Sequence, residues 1–376
     1  MFSSHSLKRK DLEMNNNQNN IDKNTQTASL PTATSKKRKR KKIVIKPNKE
    51  GVLSLIALVL IIALVATAVV FLAQFAIKFF NTEKETSSTD DPTPPGTTPW
   101  NSAYVPTPWA NSNVLVGDLI LVNANNFYSL ADSLKDRGST NLYGYEGHGS
   151  YYVLPNSDVR VRSTILPYLK QMIVDMVDQN SSLGVEKDAD KIYISAAYRD
   201  SAKQEELNTL APSVYPETSG YSEHHTGLVF DIKVQSNGAY ISLRDNEYEW
   251  LEANCAKYGF VFRYDNSKAS LTGIADEPNH LRYVGVSHAT YMTENNLCLE
   301  EYLELLRNSH SYEQSPLAIS AEGKNYLVYY VKATTEDGAS FTSIPVPPTT
   351  EGTYTISGDN MNGFIITVEK TVATQE

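Results

Sequence analysis

Two short stretches carry the residue types that hold metals and move protons. Ser222-Glu223-His224-His225-Thr226-Gly227-Leu228-Val229-Phe230-Asp231 supplies imidazoles and a carboxylate. Glu277-Pro278-Asn279-His280 adds another imidazole, with a spare carboxylate three residues before it. Three nitrogen and oxygen ligands, an open position for water and a base beside it make up a catalytic zinc site. His224 sits at a turn with Gly227 nearby, and Asp231 falls on the strand expected to follow. His280 comes from a separate segment, so the three would form a pocket with an open side. Each also has a plainer reading. A lone histidine is more often a core or surface residue, and Asp231 can serve as a cap or an ion pair. His225 adjoins His224, and neighbours on extended backbone point to opposite sides. It therefore reads as a pocket-edge or structural residue. His148 and His288 lie outside these stretches and receive no role.

The elements that must position these residues can be read from periodicity. Lys191 to Ala197 reads as a strand, and Asp200 or Ser201 as the N-cap of a helix through Leu210. Leu228 to Val234 is a β-rich run. Asp245 to Tyr258 reads as a helix closed by Gly259. Phe260 to Tyr264 and Leu281 to Val284 read as strands, and Ser287 to Asn295 and Leu299 to Arg307 as helices. Upstream, Val114 to Val122 reads as a strand. Val159 to Gln179 has apolar residues at helical spacing. From about Ser315 the pattern changes to short β-type runs at 325–331, 353–356 and 363–368, separated by turn signals. Helices mixed with unevenly spaced strands indicate an α+β domain, not a repeating βαβ fold. No internal repeat is present.

The chain as a whole is asymmetric in charge. Residues 1–50 hold 13 Lys and Arg against 4 Asp and Glu, a net of +9 in a chain of −9 overall, which leaves −18 on residues 51–376. From Gly51 to Ile77 there is no charged residue, and a helix needs about 20 apolar residues to cross a bilayer core. A signal peptide is the rival reading, but its apolar core usually runs to about 15 residues behind a short leader. Here the leader has 50 residues, so an uncleaved anchor is expected. The basic run Lys36 to Lys42 then stays in the cytoplasm and the remainder lies outside. Topology and anionic-lipid contact account for that run without nucleic acid. Residues 11–35 have the composition of disorder, and 81–112 that of a Pro/Thr/Ser-rich linker. Two cysteines cannot build a Cys-rich zinc site. An oxidising exterior permits a Cys255–Cys298 disulfide, with two buried thiols as the alternative. The 23 tyrosines read mostly as core or surface residues.

Ser222-x-His224-x-x-Gly227-x-x-x-Asp231 with Glu277-Pro278-x-His280 resembles the D-alanyl-D-alanine carboxypeptidases of the VanY type, zinc peptidases of bacterial cell-wall metabolism. Ser195-Ala196-Ala197-Tyr198-Arg199 with Gln204 is similar to another segment of that family, with one extra alanine. Trp250-Leu251, Tyr258-Gly259-Phe260, Arg263-Tyr264 and the run from Glu277 to Gly285 are similar as well. The resemblance spans residues 113–310. It departs at Asn279, where the family often has an aromatic residue, and at Val229, where it often has alanine.

The resemblance implies one Zn2+ per catalytic domain, held by His224, Asp231 and His280. It implies Glu277 as the base, Arg199 beside the reacting carbonyl, and Gln204, Ser222 and Tyr198 at the substrate pocket. The implied architecture is an α+β zinc peptidase domain over 113–312, a small central antiparallel sheet flanked by helices. A disordered basic segment (1–50), one transmembrane helix (51–80) and the linker (81–112) precede it, and a small all-β extension (313–376) follows. The implied activity is removal of the C-terminal D-alanine from peptidoglycan stem peptides by a monomer anchored outside a Gram-positive cell membrane. An L,D-carboxypeptidase acting on tetrapeptide stems is the near alternative. A zinc-loaded wall-binding module without turnover is a rival of another class, and the presence of Glu277 and Arg199 argues against it. A membrane sensor working through its cytoplasmic arm is a third, and that arm carries no signalling motif.

Overall fold

A computed structural model describes residues 101–370, apart from 102, 135–137, 181–182, 184–189, 245–248 and 351. The basic segment 1–50, the transmembrane helix expected over 51–80 and the first part of the expected linker lie outside the described residues. Among the described residues, no helix is long and apolar enough to cross a membrane.

The strands in chain order are β1 (Val105–Ala110), β2 (Ser139–Asn141), β3 (Tyr152–Val153), β4 (Arg160–Arg162), β5 (Lys191–Ala196), β6 (Val229–Ser236) and β7 (Ala239–Ile241). They continue as β8 (Phe260–Phe262), β9 (His280–Tyr283), β10 (Leu317–Ala321), β11 (Lys324–Lys332), β12 (Phe341–Val346), β13 (Gly352–Gly358) and β14 (Gly363–Lys370). The α-helices are α1 (Leu166–Gln179), α2 (Ser201–Leu210), α3 (Trp250–Asn254), α4 (Ala269–Thr272), α5 (Val286–Glu294) and α6 (Leu299–Ser309).

The central sheet runs β3-β5-β6-β9-β8, with β7 beside β6. Its neighbours are antiparallel except for the short parallel pair β3–β5. The apolar residues of β6 alternate as a half-buried strand requires, and Phe230, Ile232 and Val234 enter the main core. Helix α1 lays Leu166, Leu169, Met172, Ile173 and Met176 into the same core, one face of a 3.6-residue repeat.

Helical spacing predicts α1 from Val159, but the helix begins at Leu166, after β4 and one 3-10 turn. A proline in its first turn marks that start, where a missing N–H costs nothing. Val114 to Val122 forms no strand. Asn111–Leu115 is a 3-10 turn, and the residues after it alternate between two cores without a ladder. Ile120 and Val122 enter the main core, while Leu119 and Leu121 enter a second.

The C-terminal part is all-β, as expected, but it is not an appendage. Its sheet runs β10-β11-β14-β13. β11 sends Val328 and Tyr330 into the core it shares with α5 and α6, and Tyr329 into a third core with Ile344 and Val346 of β12. β12 pairs antiparallel with β1. The linker expected over 81–112 is therefore shorter than its composition suggests, because Val105–Ala110 is strand. Cys255 and Cys298 are both free, buried thiols, so no disulfide joins them.

Candidate metal centre and its cavity

Strand register brings the first two candidate ligands together. Asp231 of β6 stands directly opposite His280 of β9, so both side chains rise from the same face. The third arrives from the 3-10 turn Glu223–Thr226, which feeds β6. That turn ends at Gly227 with φ 65°, a left-handed conformation in which a Cβ would meet Leu134 Cδ1 at 2.9 Å and Arg162 N at 3.1 Å. Only glycine satisfies both demands. On the other flank β5 pairs Ala196 with Asp231 across a bulge at Ser195, a device common beside active sites.

The donor atoms of His224, Asp231 and His280 lie within 4.8 Å of one another. His224 Nδ1 contacts the Ala197 carbonyl at 2.5 Å, which fixes the proton there and leaves Nε2 free. Nε2 lies 3.8 Å from Asp231 Oδ2. His280 turns Nδ1 to the same carboxylate, 3.0 Å from Oδ1. Burial would raise the Asp231 pKa, but His224, His280 and Arg199 overcome it and hold the carboxyl below its usual range. Burial drives His224 the other way, well below the usual imidazole range, with Arg199 adding to the effect. A neutral imidazole and an ionised carboxylate are the forms that ligate a cation. Two histidines and one carboxylate, with a side left open to a cavity, fit a catalytic Zn2+ by donor chemistry and count.

Behind His280 the second ring nitrogen meets Glu223. Glu223 Oε1 accepts from Arg263 Nε at 3.0 Å and Arg282 Nη1 at 2.8 Å. Its Oε2 and His280 Nε2 face each other at 3.8 Å, both buried and without a hydrogen-bond partner. Nothing in the sequence reading singled out Glu223. The available signal was Arg282, a charge between Leu281 and Tyr283 in an apolar strand, which demands a buried acid.

Glu277 lies 3.5 Å from His280 Nδ1 with its side chain 41% exposed, so it stands at the mouth of the site. Burial raises its pKa above the usual 4.5, and Asp231 and Glu217 push the same way against His280 and Arg199. A carboxylate poised nearer neutrality suits proton transfer. Arg199 is 8% exposed, donates from Nη1 to Gln204 Oε1 at 2.8 Å and lies over the Tyr215 ring at 5.3 Å. Its Nε has no partner. His225 has both ring nitrogens engaged, Nδ1 with the Arg199 carbonyl at 2.8 Å and Nε2 with the Gly220 N–H at 3.0 Å. It holds the backbone of Arg199 and has no lone pair left for a metal.

These groups border a cavity of about 370 Å³ lined by Arg199, Ser222, His224, Asp231, Glu277 and His280 among others. Gln204 and Tyr198 are not in its wall. Gln204 is fully buried, and its amide donates to the Glu217 carbonyl at 2.7 Å. Tyr198 donates its hydroxyl to the Ala131 carbonyl at 2.8 Å. Both steady the cavity from behind. Tyr215, Glu217, Lys233, Tyr264 and Asn279 line it instead. His148 rests between Tyr143 and Tyr152, and His288 lies between Tyr302 and Thr367, away from the centre.

A family model described as VanY: D-alanyl-D-alanine carboxypeptidase matches residues 161–286, a span that contains every candidate ligand, Glu277 and Arg199. The chain is 32% identical over 257 residues to a D-alanyl-D-alanine carboxypeptidase of Enterococcus faecium, covering 68% of this chain and 76% of that protein. It is 36% identical over 136 residues to a D-alanyl-D-alanine carboxypeptidase of Enterococcus faecalis, covering 31% of this chain and 49% of that protein. Among solved structures, the vancomycin-resistance D,D-dipeptidase VanXYg in complex with a D-Ala-D-Ala phosphinate analog superposes with a TM-score of 0.56 at 22% identity, covering 71% of this chain and 99% of that one. That likeness extends to the fold.

Proposed function

The chain belongs to the VanY family of D-alanyl-D-alanine carboxypeptidases, and from that premise we propose that it is a zinc D,D-carboxypeptidase that removes the C-terminal D-alanine from peptidoglycan stem peptides. The observation that carries this reading is the juxtaposition of His224, Asp231 and His280 with Glu277 at the cavity mouth. Bound zinc supplies Lewis-acid chemistry there, polarising a carbonyl and lowering the pKa of water to about 7. Glu277 accepts the proton of the attacking water at its carboxylate and returns it to the leaving amine. Arg199 lines the cavity, already desolvated and held by Gln204 and Tyr215, and offers its guanidinium charge to the developing oxyanion. Ser222 lines the same end of the cavity and offers a hydroxyl to the terminal carboxylate.

The apolar run at 51–77 and the basic run before it support a single membrane anchor with the catalytic part outside the cell, where its substrate lies. The test is to load the purified chain with Zn2+, measure bound metal, and incubate it with pentapeptide and tetrapeptide stems. Loss of one alanine from the pentapeptide, followed by mass spectrometry, is the expected result. Stoichiometric zinc with no loss from either peptide sinks the enzyme reading.

A further inference from the structure

We infer that Lys233 and Asn279 form a subsite for an acidic residue of the substrate, on the acyl side of the scissile bond. This deepens the function proposed above and rests on it. Lys233 lies two residues beyond Asp231 on β6, so both side chains leave the same face of the strand. Their Cα atoms are about 6.6 Å apart at strand rise. Lys233 is half-buried in the cavity wall, and among the described residues its ammonium has neither an ion pair nor a hydrogen bond. Asn279 adjoins it across the sheet, where the Ile232 N–H donates to the Asn279 carbonyl at 2.9 Å. The Asn279 side-chain oxygen is buried without a partner. Leaving a buried acceptor unpaired is costly, and a half-turn of the amide brings that oxygen to the cavity, where a peptide N–H can donate to it.

Two acids of this wall are engaged elsewhere, and Lys233 forms an ion pair with none of the wall's acids among the described residues. Asp276 pairs with Arg244 at 2.6 Å, and Asp231 faces the two histidines. The free cation therefore looks to the ligand for its counter-charge. Position decides which part of the ligand. Arg199 and Ser222 cluster where the chain enters β6, and Lys233 lies past the metal centre towards the other end of that strand. A peptide whose terminal residue sits against Arg199 and Ser222 runs its upstream residues over Lys233. The spacing from Asp231 matches a carboxylate two or three residues before the cleaved bond.

The experiment uses the zinc-loaded chain and N-acetylated peptides ending in D-Ala-D-Ala. Glu or Gln is placed in turn at each of the three positions before the scissile bond. At one position the Glu peptide is expected to show at least a fivefold lower KM than its Gln partner, with kcat unchanged. Lys233→Met abolishes that preference and Lys233→Arg keeps it. Equal KM values across the whole series, or a preference that survives in Lys233→Met, overturn the subsite. If no peptide is cleaved, the proposed function fails on its own account. Direct titration of the same peptides into the Glu277→Gln protein then still decides the subsite, by a Glu-over-Gln affinity preference or its absence.

Discussion

Glu223→Gln removes one charge from a cluster that water does not reach, and the outcome can be worked from its contacts. Glu223 and its partners Arg263 and Arg282 are 3%, 3% and 0% exposed. Severing one member of a buried ion pair costs about 3–5 kcal/mol, because the remaining charge stays buried. Two features favour the lower end. Arg263 keeps Glu300, with bonds of 2.9 and 2.7 Å. Arg282 keeps the carbonyls of Tyr283, Asp118 and Ile120 at 2.8–2.9 Å. A loss of about 3 kcal/mol follows, and in a domain of this size that lowers Tm by roughly 6–12 °C. Calorimetry or circular dichroism on chelator-treated protein reads the shift without a contribution from metal. Removing Arg282 as well, in Glu223→Leu with Arg282→Leu, should cost less than the two single changes together, since the orphaned charge leaves with its partner. A Tm within about 2 °C of wild type, or strict additivity in the double variant, refutes the argument. The same substitution bears on the metal. When His280 ligates through Nδ1, its Nε2–H needs the acceptor that Glu223 Oε2 provides 3.8 Å away. Competition with a chelator should show zinc affinity reduced about tenfold or more.

Three further outcomes are expected. Glu277→Gln should lower kcat by about 10²–10⁴ while zinc stoichiometry, read by metal analysis, stays at one. Wild-type activity retained in that variant removes Glu277 from the mechanism. His288, buried between Tyr302 and Thr367, has its pKa pushed by burial from 6.5 down to about 3. The unfolded chain takes up a proton below 6.5 and the folded one resists until about 3, so this contribution is full above 6.5 and declines as pH falls between those values. Urea midpoints from pH 7 to 4 should fall less steeply in His288→Leu than in wild type, and parallel profiles would contradict the assignment. Gly227→Ala should destabilise by about 1–3 kcal/mol through its left-handed backbone, measured by urea unfolding, and a neutral result would mean that the turn before β6 can reshape.

Much of the centre is legible in the chain because it depends on local rules. Turn chemistry at Gly227 and the two-residue period of β6 place His224 and Asp231 near one sheet edge. The match of Asp231 with His280 then needs only that β9 pair with β6. The supporting shell is not local. Arg263 and Arg282 converge on Glu223 from 40 and 59 positions away, Glu300 joins through Arg263, and no periodicity announces that meeting. Resemblance locates Gln204 and Tyr198 but not their contacts: Gln204 braces Arg199 and Glu217, Tyr198 bonds the Ala131 carbonyl, and neither lines the cavity. Composition misplaces β1, since Pro106 and Pro108 read as linker. Prolines are tolerated there because β1 belongs to a two-stranded ribbon rather than a sheet interior. β10 and β12 escape for a related reason. Each is only five or six residues long, and β12 carries Pro345.

The C-terminal sheet acquires a physical role once these contacts are followed outward. His280 faces Glu223, Glu223 binds Arg263, and Arg263 is held by Glu300 on α6. The apolar face of α6 (Leu299, Tyr302, Leu303 and Leu306) packs with Val328 and Tyr330 of β11 and Ile365 of β14. Candidate ligand, ion pairs, helix and sheet thus form one continuous packed series. A fixed ligand geometry needs support that does not relax, and close-packed interiors deform little. Loss of the 313–376 segment would expose the apolar face of α6 and free Glu300 from its anchor. The orientation of His280 therefore depends on residues far from the cavity, which makes the β part a structural component of the candidate metal centre rather than a separate module.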